Sequence, residues 1–351
     1  MKIAVYAIAK NEEAFVTRWV ESAADADYVV LLDTGSSDRT AIVADALGCI
    51  TAIKTYDPWR FDKARNDSLA LVPDDADICI ALDLDEVLVP GWREHIEAAY
   101  ADGVNRVRYQ YTWSWNGNHP GLIYGGDKIH SRHEYFWKHP VHEVLKPKDG
   151  VEERQGWYGL EIHHHPDAAK SRGHYLPLLA LAVVEDPEDD RNAHYYAREL
   201  FYAGRNEEAA EEFKRHLRLP RAVWKPERAA SMRYLAKIEP GQTFAWLTRA
   251  SEEAPDSREP WVELAHLHYT HGNWSSCLAA ATRALAITEK PLAYLNDEQA
   301  WGSYPHDLAA IAAFQLGYFH EARARGLEAL RLDPYDDRLA SNLRHYREAA
   351  A

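Results

Sequence analysis

The chain has 351 residues, 46% of them hydrophobic, with a formal net charge of −15 at pH 7 and a mean hydropathy of −0.49. These values are typical of a globular protein too long for one ordinary core, and the charge opposes nonspecific binding to nucleic acid or anionic lipid. The sequence has no apolar run of about 18 residues, no cleavage signal near Met1, and three scattered cysteines, Cys49, Cys79 and Cys277. We therefore expect a cytoplasmic protein of two domains that does not bind membranes.

The composition changes near residue 170. Before this point, β-branched runs alternate with helical segments; after it, Ala, Leu, Glu and Arg recur at helical spacing with almost no strand signal. We predict an α/β domain over residues 1–170 and an all-helical domain over residues 171–351.

Strands and helices alternate in the first domain. The predicted strands are Lys2–Ala9, Tyr28–Leu32, Ile50–Thr55 and Ile78–Leu82; the helices follow Asn11 as a cap, run through Ala41–Leu47, and carry Arg65 and Asn66. This alternation predicts a parallel sheet with right-handed crossovers, in which ligands bind beyond the carboxyl ends of the strands. The polar residues at those ends are Lys10, Asn11, Asp33, Asp83 and Asp85.

Acidic residues follow the fourth strand in "ICIALDLDEVL". Because side chains alternate along extended chain, Asp83 and Asp85 point to the same side and offer hard oxygen ligands for Mg²⁺ or Mn²⁺. One alternative is that these acids only end a strand and cap the next helix. Another is the aspartyl nucleophile of haloacid dehalogenase-type phosphotransferases, but those enzymes place it after their first strand.

Four segments, in this order, resemble the N-terminal half of family 2 glycosyltransferases of the GT-A fold: "AIAKNEEAFVTRWVES", "VVLLDTGSSDRT", "FDKARNDSL" and "ICIALDLDEVL". The match is closest to soluble bacterial members that join this domain to tetratricopeptide-like helices, as in peptide S-glycosyltransferases. It continues more weakly through "WKHPVHEVL" and "EIHHHPD". The resemblance implies a Rossmann-like GT-A domain that binds a nucleotide sugar, followed by an all-α domain of TPR-like helical hairpins.

The resemblance also implies roles for individual residues. Asp33 matches the acid that binds the nucleotide base, and Arg65 matches a basic residue near the base and diphosphate. Asp83 is the first acid of the DxD motif, towards the ribose and metal, and Asp85 is the direct metal ligand. The other residues assigned to the nucleotide-sugar site are Ala9 and Asn11.

A histidine often completes the metal coordination in this family. The segment "IHHHP" offers His163, His164 and His165, of which His164 is the best match; the alternative is a solvated or structural histidine cluster. Transfer from a nucleotide sugar leaves a diphosphate, whose charge a divalent cation stabilises. We expect Mn²⁺ or Mg²⁺ as cofactor, and a UDP-sugar donor by family habit.

Inverting transfer also needs a base, and a carboxylate is the usual choice. Glu143 in "HPVHE" resembles a family segment and Asp127 in "YGGDKIH" competes with it, although both acids could equally be ion-paired at the surface. Aromatic residues crowd the same region, and we expect most of them in the core. Trp115 and Trp137 are the candidate acceptor contacts.

The second domain contains a degenerate repeat. Its clearest copies are "YYARELFYAGRNEEAAEEFKRHLRLP", "ELAHLHYTHGNWSSCLAAATRALAI" and "LAAIAAFQLGYFHEARARGLEALRLDP". Gly204 and Gly272 are separated by twice the roughly 34-residue TPR period, whereas Gly317 breaks it. Such arrays offer a concave surface, which we expect to bind the acceptor or a second subunit; the alternative is that the helices only brace the catalytic domain.

These features lead to two hypotheses of different class. The first is a metal-dependent, inverting glycosyltransferase with a soluble acceptor, ranked as peptide, protein or glycan first and a modified nucleic-acid base last. The second is a noncatalytic TPR scaffold with a vestigial nucleotide-sugar domain. The presence of every donor-side residue type favours the enzyme.

Overall fold

The computed structural model describes residues 1–166 and 175–351. The chain forms two compact units, Met1–Glu185 with Leu292–Tyr294, and Asp186–Pro291 with Leu295–Ala351. The predicted boundary between residues 170 and 171 lies outside the described residues. No described helix is both long and apolar enough to span a membrane.

The first unit begins with the predicted alternation of strands and helices. Its first elements are β1 (Ile3–Ala9), α1 (Glu13–Ser22), β2 (Tyr28–Asp33), α2 (Thr40–Ala46), β3 (Ile50–Ile53), α3 (Phe61–Leu71), β4 (Ile78–Ala81), β5 (Glu86–Leu88) and α4 (Trp92–Ala101). The elements that follow are β6 (Arg106–Thr112), β7 (Trp115–Asn116), β8 (His119–Pro120), β9 (Ile123–Ser131), β10 (Tyr135–Lys138), β11 (Val144–Pro147), β12 (Gln155–His164) and α5 (Tyr175–Glu185).

One sheet in the order β3-β2-β1-β4-β9-β6-β12-β5 organises this unit. The first four strands are parallel, as predicted, with β1 paired to both β2 and β4. The later part is mixed, because β9 runs antiparallel to both β4 and β6, and β12 runs parallel to β6. The end of β12 at His164 therefore lies at the same edge as the carboxyl ends of β1, β2 and β4. That edge includes the point where the strand order reverses between β1 and β4, which is the usual ligand site in such sheets.

Apolar side chains cover both faces of the central strands. β1 and β4 are buried almost throughout, as expected of parallel strands with layers on both sides. Trp19 of α1 is fully buried against one face, and its indole N–H donates to the carbonyl of Leu82 at 3.0 Å. This contact holds α1 beside the segment that leads from β4 into the acids.

The second unit consists of helical hairpins. Its helices are α6 (Asp190–Tyr202), α7 (Asn206–Arg218), α8 (Lys225–Ile238), α9 (Thr243–Glu253), α10 (Arg258–Thr270), α11 (Trp274–Leu285), α12 (Glu298–Trp301), α13 (Tyr304–Gln315), α14 (Phe319–Leu332) and α15 (Asp337–Ala349). Gly204, Gly272 and Gly317 each turn the chain between two helices with a positive φ, which glycine adopts without strain. The repeat glycines identified in the sequence are therefore the hairpin turns, and the unit has the predicted TPR-like architecture.

Candidate functional site

Two loops at the carboxyl edge of the sheet are tied together by hydrogen bonds. Asn11 has a left-handed φ of 56°, its N–H donates to Ser36 Oγ at 2.8 Å, and its Oδ1 accepts from the N–H of Ser37 at 2.7 Å. The predicted role of Asn11 as the cap of α1 is wrong, because Glu12 occupies that position and the Asn11 amide binds the neighbouring loop. Ala9 joins the same connection through its carbonyl, which accepts from the N–H of Thr34 at 2.8 Å.

Asp33 ends β2 between these loops and is almost completely buried. Its Oδ1 accepts from the N–H groups of Gly35 at 2.8 Å and Ser36 at 2.7 Å. Its Oδ2 is equally buried but accepts no hydrogen bond from any residue that the structure describes. A buried carboxylate oxygen without a donor is costly, so this atom is a strong acceptor for an N–H group of a ligand.

Five charged side chains contact one another near the carboxyl end of β4. We call this group the charged cluster: Arg65, Asp83, Glu86, Lys128 and Glu143. The Arg65 guanidinium pairs with Glu143 and lies 2.8 Å from Asp83 Oδ1. Lys128 Nζ lies 2.9 Å from Asp83 Oδ2 and 3.3 Å from Glu86 Oε1. Both oxygens of Asp83 are therefore engaged by cations.

Burial and charge act against each other in this cluster. Burial favours a neutral Asp83, but the nearby Arg65 and Lys128 hold the pKa of this carboxyl far below its usual range. Burial raises the pKa of Glu86, which also accepts from the Asp83 N–H at 2.9 Å and from the Tyr111 hydroxyl at 2.6 Å. The Asp83 carboxylate is consequently an ionised group held in one orientation.

Asp85 faces His164 rather than the cluster cations. His164 Nε2 lies 3.6 Å from Asp85 Oδ2, and the ring Nδ1 lies 2.9 Å from the carbonyl of Trp113. Because a carbonyl can only accept, Nδ1 carries the hydrogen, and the lone pair of the neutral ring is on Nε2 beside the carboxylate. A histidine whose other nitrogen donates to a backbone carbonyl is the usual arrangement of a metal ligand.

The Asp85 carboxylate also affects the protonation of His164. Burial alone would lower the pKa of His164, but the Asp85 carboxylate and the Trp113 carbonyl more than compensate and raise it, so a metal ion at this pair competes with a proton for Nε2. The pair is a carboxylate oxygen and an imidazole nitrogen, donor types that suit Mn²⁺. Asp85 and His164 are thus the residues at this edge that fit a divalent cation.

The neighbouring histidines have different surroundings. His163 Nε2 lies 3.4 Å from a Glu161 oxygen, on the other side of the strand from His164. His165 stacks on Trp115 with ring centroids 5.6 Å apart, and its pKa is lowered by burial and then by the positive charge of Arg18. The ring of His164 is thus the one that the structure places against the Asp85 carboxylate.

Trp137 and Asp127, two candidate site residues from the sequence, each have partners within the first unit. Trp137 is a core residue, 3% exposed, whose indole N–H donates to the Tyr6 hydroxyl at 2.7 Å while the Arg65 guanidinium covers its ring. It has no face open to an acceptor. Asp127 of β9 pairs with Arg106 at 2.8 Å, and the register of β9 against β4 places it level with Leu82. Burial therefore argues against an acceptor contact for Trp137, and the role of Asp127 stays a prediction.

Trp115 differs from Trp137 because it is half-buried beside a cavity. The cavity has a volume of about 600 Å³, and its wall includes Phe15, Arg18, Trp115, Asn118, His165 and Pro166. The Trp115 indole N–H donates to the carbonyl of His164 at 2.9 Å, so the ring is held next to the Asp85–His164 pair.

The sequence analysis missed Lys128, which lies within hydrogen-bond distance of Asp83. Strand alternation could have identified it, because Lys128 follows Asp127 in β9 and must point to the opposite side. Its partner Asp83 is distant in sequence, and only the sheet order brings the two side chains together.

Comparison with known proteins supports this description of the first unit. Residues 5–148, less than half of the chain, match the family model described as Glycosyl transferase family 2. A protein of Rickettsia bellii (strain RML369-C), described as an uncharacterized glycosyltransferase, is 33% identical over 109 residues, which cover 31% of this chain and 35% of that protein. The match thus spans about a third of that relative's length.

Solved structures overlap with each part of the chain. A TPR protein of Thermus thermophilus is 20% identical, covering 50% of this chain and 88% of that one with a TM-score of 0.32. Glucosyl-3-phosphoglycerate synthase of Mycobacterium tuberculosis, in complex with Mn²⁺, UDP and phosphoglyceric acid, is 25% identical, covering 31% of this chain and 43% of that one with a TM-score of 0.27. At these scores, the assignment of the first unit rests on the family model.

Proposed function

We propose that this chain, whose first unit carries a Glycosyl transferase family 2 domain, moves a sugar from a nucleotide-sugar donor to a soluble acceptor with the help of a divalent cation. The observation that carries the proposal is that two candidate ligand sites lie at the same edge of the sheet. One is the buried Oδ2 of Asp33, which has no donor within the described residues, and the other is the Asp85–His164 pair.

In this proposal Asp33 binds the nucleotide base. Its Oδ2 accepts the imino N–H that uracil, thymine and guanine all carry, while Oδ1 stays bound to the loop after β2. A UDP-sugar is preferred because of the family resemblance. The connection between Ala9, Asn11 and that loop keeps Asp33 in place, because neither loop moves without breaking hydrogen bonds to the other. Preorganisation of this kind lowers the entropic cost of binding the donor.

Asp83 is proposed to face the ribose, with Arg65 and Lys128 holding its carboxylate in place. Asp85 and His164 would hold Mn²⁺ or Mg²⁺, which supplies charge stabilisation for the leaving diphosphate when bound. Arg65 and Lys128 both contact Asp83, which is proposed to face the donor. Their positive charges would therefore also attract the diphosphate. The donor is thus held at its base, ribose and diphosphate by different residues.

The transfer is proposed to invert the anomeric configuration by a single displacement. An acceptor oxygen forms a bond to the sugar carbon as the bond from that carbon to the diphosphate breaks, and Glu143 receives the acceptor proton. Glu143 is the first candidate base because it belongs to the charged cluster beside Asp83. Asp127 stays the alternative, since each of the two acids is paired with an arginine. The acceptor is a peptide, protein or glycan in the ranking derived from the sequence.

Donor binding is the first experiment. Calorimetry and thermal shift with UDP-, GDP- and dTDP-sugars, each with and without Mn²⁺, would compare the wild type, Asp85→Ala and the control Asp45→Ala. Asp45 is an exposed acid on α2 with no ion pair among the described residues. We expect one nucleotide class to bind in a metal-dependent manner, with affinity reduced at least about tenfold in Asp85→Ala and unchanged in the control. Absence of any nucleotide response with metal would overturn the proposal and favour the scaffold.

A further inference from the structure

The cavity beside Trp115 is joined to the candidate metal pair through the backbone. The N–H of His165 donates to the carbonyl of Asp85 at 2.7 Å, and the Trp115 indole donates to the carbonyl of His164 at 2.9 Å. Two residues of the cavity wall thus bind the backbone of the two residues that fit the cation. A molecule in this cavity lies next to the place where the donor diphosphate and its sugar are proposed to sit.

Arg18 gives the cavity a permanent positive charge. It is an exposed residue of α1 whose guanidinium lies 5.4 Å from the ring centre of Phe15. The chain contains 55 acidic residues. Among the described residues, however, no carboxylate oxygen lies within 4.0 Å of the Arg18 guanidinium. Arg60, Arg65 and Arg93 of the same unit all have such partners.

The rest of the wall suits a saccharide. Trp115 and His165 stack with an interplanar angle of 4°, and Phe15 adds a second aromatic side chain. Aromatic rings pack well against the apolar faces of sugars, and the exposed amide of Asn118 can both donate to and accept from hydroxyl groups. A volume of about 600 Å³ is within the usual range of small-ligand pockets.

We propose that this cavity is the acceptor site and that the acceptor is an anionic saccharide, a sugar carrying a carboxylate or a phosphate that Arg18 binds. The inference rests on the proposed function, since it assigns the acceptor of that same reaction. It selects a glycan from the acceptor classes left open by the sequence. The net charge of −15 repels anions in general, so a preference for an anionic acceptor must be produced locally by Arg18.

Matched pairs of small probes test this preference on the full chain in the presence of UDP and Mn²⁺. Methyl β-D-glucuronide and methyl β-D-glucoside differ by a carboxylate; glucose 6-phosphate and glucose differ by a phosphate. Calorimetry or saturation-transfer NMR would give the dissociation constants. We expect at least one anionic probe to bind about five- to tenfold more tightly than its neutral partner at low salt, with the gap narrowing as salt is added. The pair with the larger ratio identifies the anion.

Variants then assign the preference to a residue. Arg18→Gln should reduce the ratio to within about twofold, and Arg18→Lys should retain most of it because the charge remains. Arg249→Gln is the matched control, since Arg249 also lies over an aromatic ring, 4.7 Å from the centre of Trp246, but in the second unit. Trp115→Ala should weaken charged and neutral probes alike.

Two results would overturn the inference: equal binding of both members of each pair by the wild type, or a preference that survives Arg18→Gln. Donor binding in the same samples separates this failure from failure of the proposed function. Intact binding of UDP with Mn²⁺ but no anion preference refutes only the acceptor assignment. Absence of UDP binding refutes the proposed function itself.

Discussion

Each unit contains a buried polar network, and the two differ in charge and access. The second unit contains a buried row of two histidines and a serine that ends near a glutamate. His194 Nδ1 lies 2.8 Å from Ser231 Oγ, which lies 2.9 Å from His216 Nδ1, and the far nitrogen of His216 lies 3.5 Å from Glu227. His194, Ser231 and His216 are fully buried. The charged cluster of the first unit instead opens to solvent at Asp83 and Lys128, whose side chains are 29% and 30% exposed.

The comparison shows that exposure, rather than residue type, separates a candidate site from a structural network. Serine, histidine and glutamate also form hydrolytic sites, but no substrate reaches a fully buried serine, so the second network serves packing. Burying charge is costly unless the charges are paired, and the first unit meets that cost with Arg65 and Lys128 at an edge where ligands bind. We therefore expect changes in the charged cluster to affect both stability and donor binding, and changes in the buried network of the second unit to affect stability alone.

The largest effect is expected for Lys128→Met. Removal of this cation leaves Asp83 with Arg65 as its cationic partner and takes away the positive charge that Glu86 contacts. We therefore expect the free energy of unfolding of the first unit to fall by about 3 kcal/mol and donor affinity to fall more than tenfold. Hydrogen exchange of peptides from β4 and β9 measures the first quantity, and calorimetry the second. Lys128→Arg is the charge-matched control, and the added change Glu86→Gln should recover part of the stability. Normal exchange and donor binding in Lys128→Met would contradict this view of the cluster.

Acid should destabilise the second unit through His194. Burial lowers the pKa of His194 from 6.5 to about 3, so the unfolded chain binds a proton at a pH where the folded chain does not. This contribution to stability is complete above pH 6.5 and is lost as the pH falls towards 3; near pH 5 the loss is about 2 kcal/mol.

Hydrogen exchange of α6 at several pH values would measure how the stability of the second unit falls with pH. His194→Gln should flatten this slope of stability against pH. His130 is the matching residue of the first unit, because burial lowers its pKa to about 4. His130→Gln should flatten the slope of the first unit only. An unchanged slope in the second unit of His194→Gln would show that other groups control its acid sensitivity.

The smallest effect is expected for Ser231→Ala. The change removes the hydroxyl between His194 and His216 and leaves both ring nitrogens without that partner, which should cost about 1 kcal/mol in the second unit. Donor binding should equal that of the wild type. Denaturation followed by exchange in α8 gives the stability, and a clear fall in donor affinity would remove the distinction between the two networks.

Much of the architecture was predictable from local patterns. Short β-branched apolar runs indicated β1 to β4, and the glycines between Ala-rich helical segments indicated the hairpin turns at Gly204, Gly272 and Gly317. The acids after β2 and β4 were predicted to meet because carboxyl ends of parallel strands share an edge. Each of these inferences depends only on periodicity, turn chemistry and strand direction.

Other features depended on contacts between distant segments. Asparagine is a common helix cap, but the amide of Asn11 binds the neighbouring loop instead. Trp115 and Trp137 both belong to short strands, but Trp115 borders a cavity whereas Trp137 is buried in the core.

By itself, the sequence determined the alternation of β1 to β4 with their helices, the hairpin repeat and the edge at which the acids gather. The tertiary structure alone decided that Lys128 holds Asp83, that the Trp113 carbonyl orients His164 towards Asp85, and that Arg18 faces a cavity. The physical reason is that backbone periodicity and turns are properties of neighbouring residues. The charge, hydrogen bonding and exposure of a side chain depend on segments that only the folded sheet brings together.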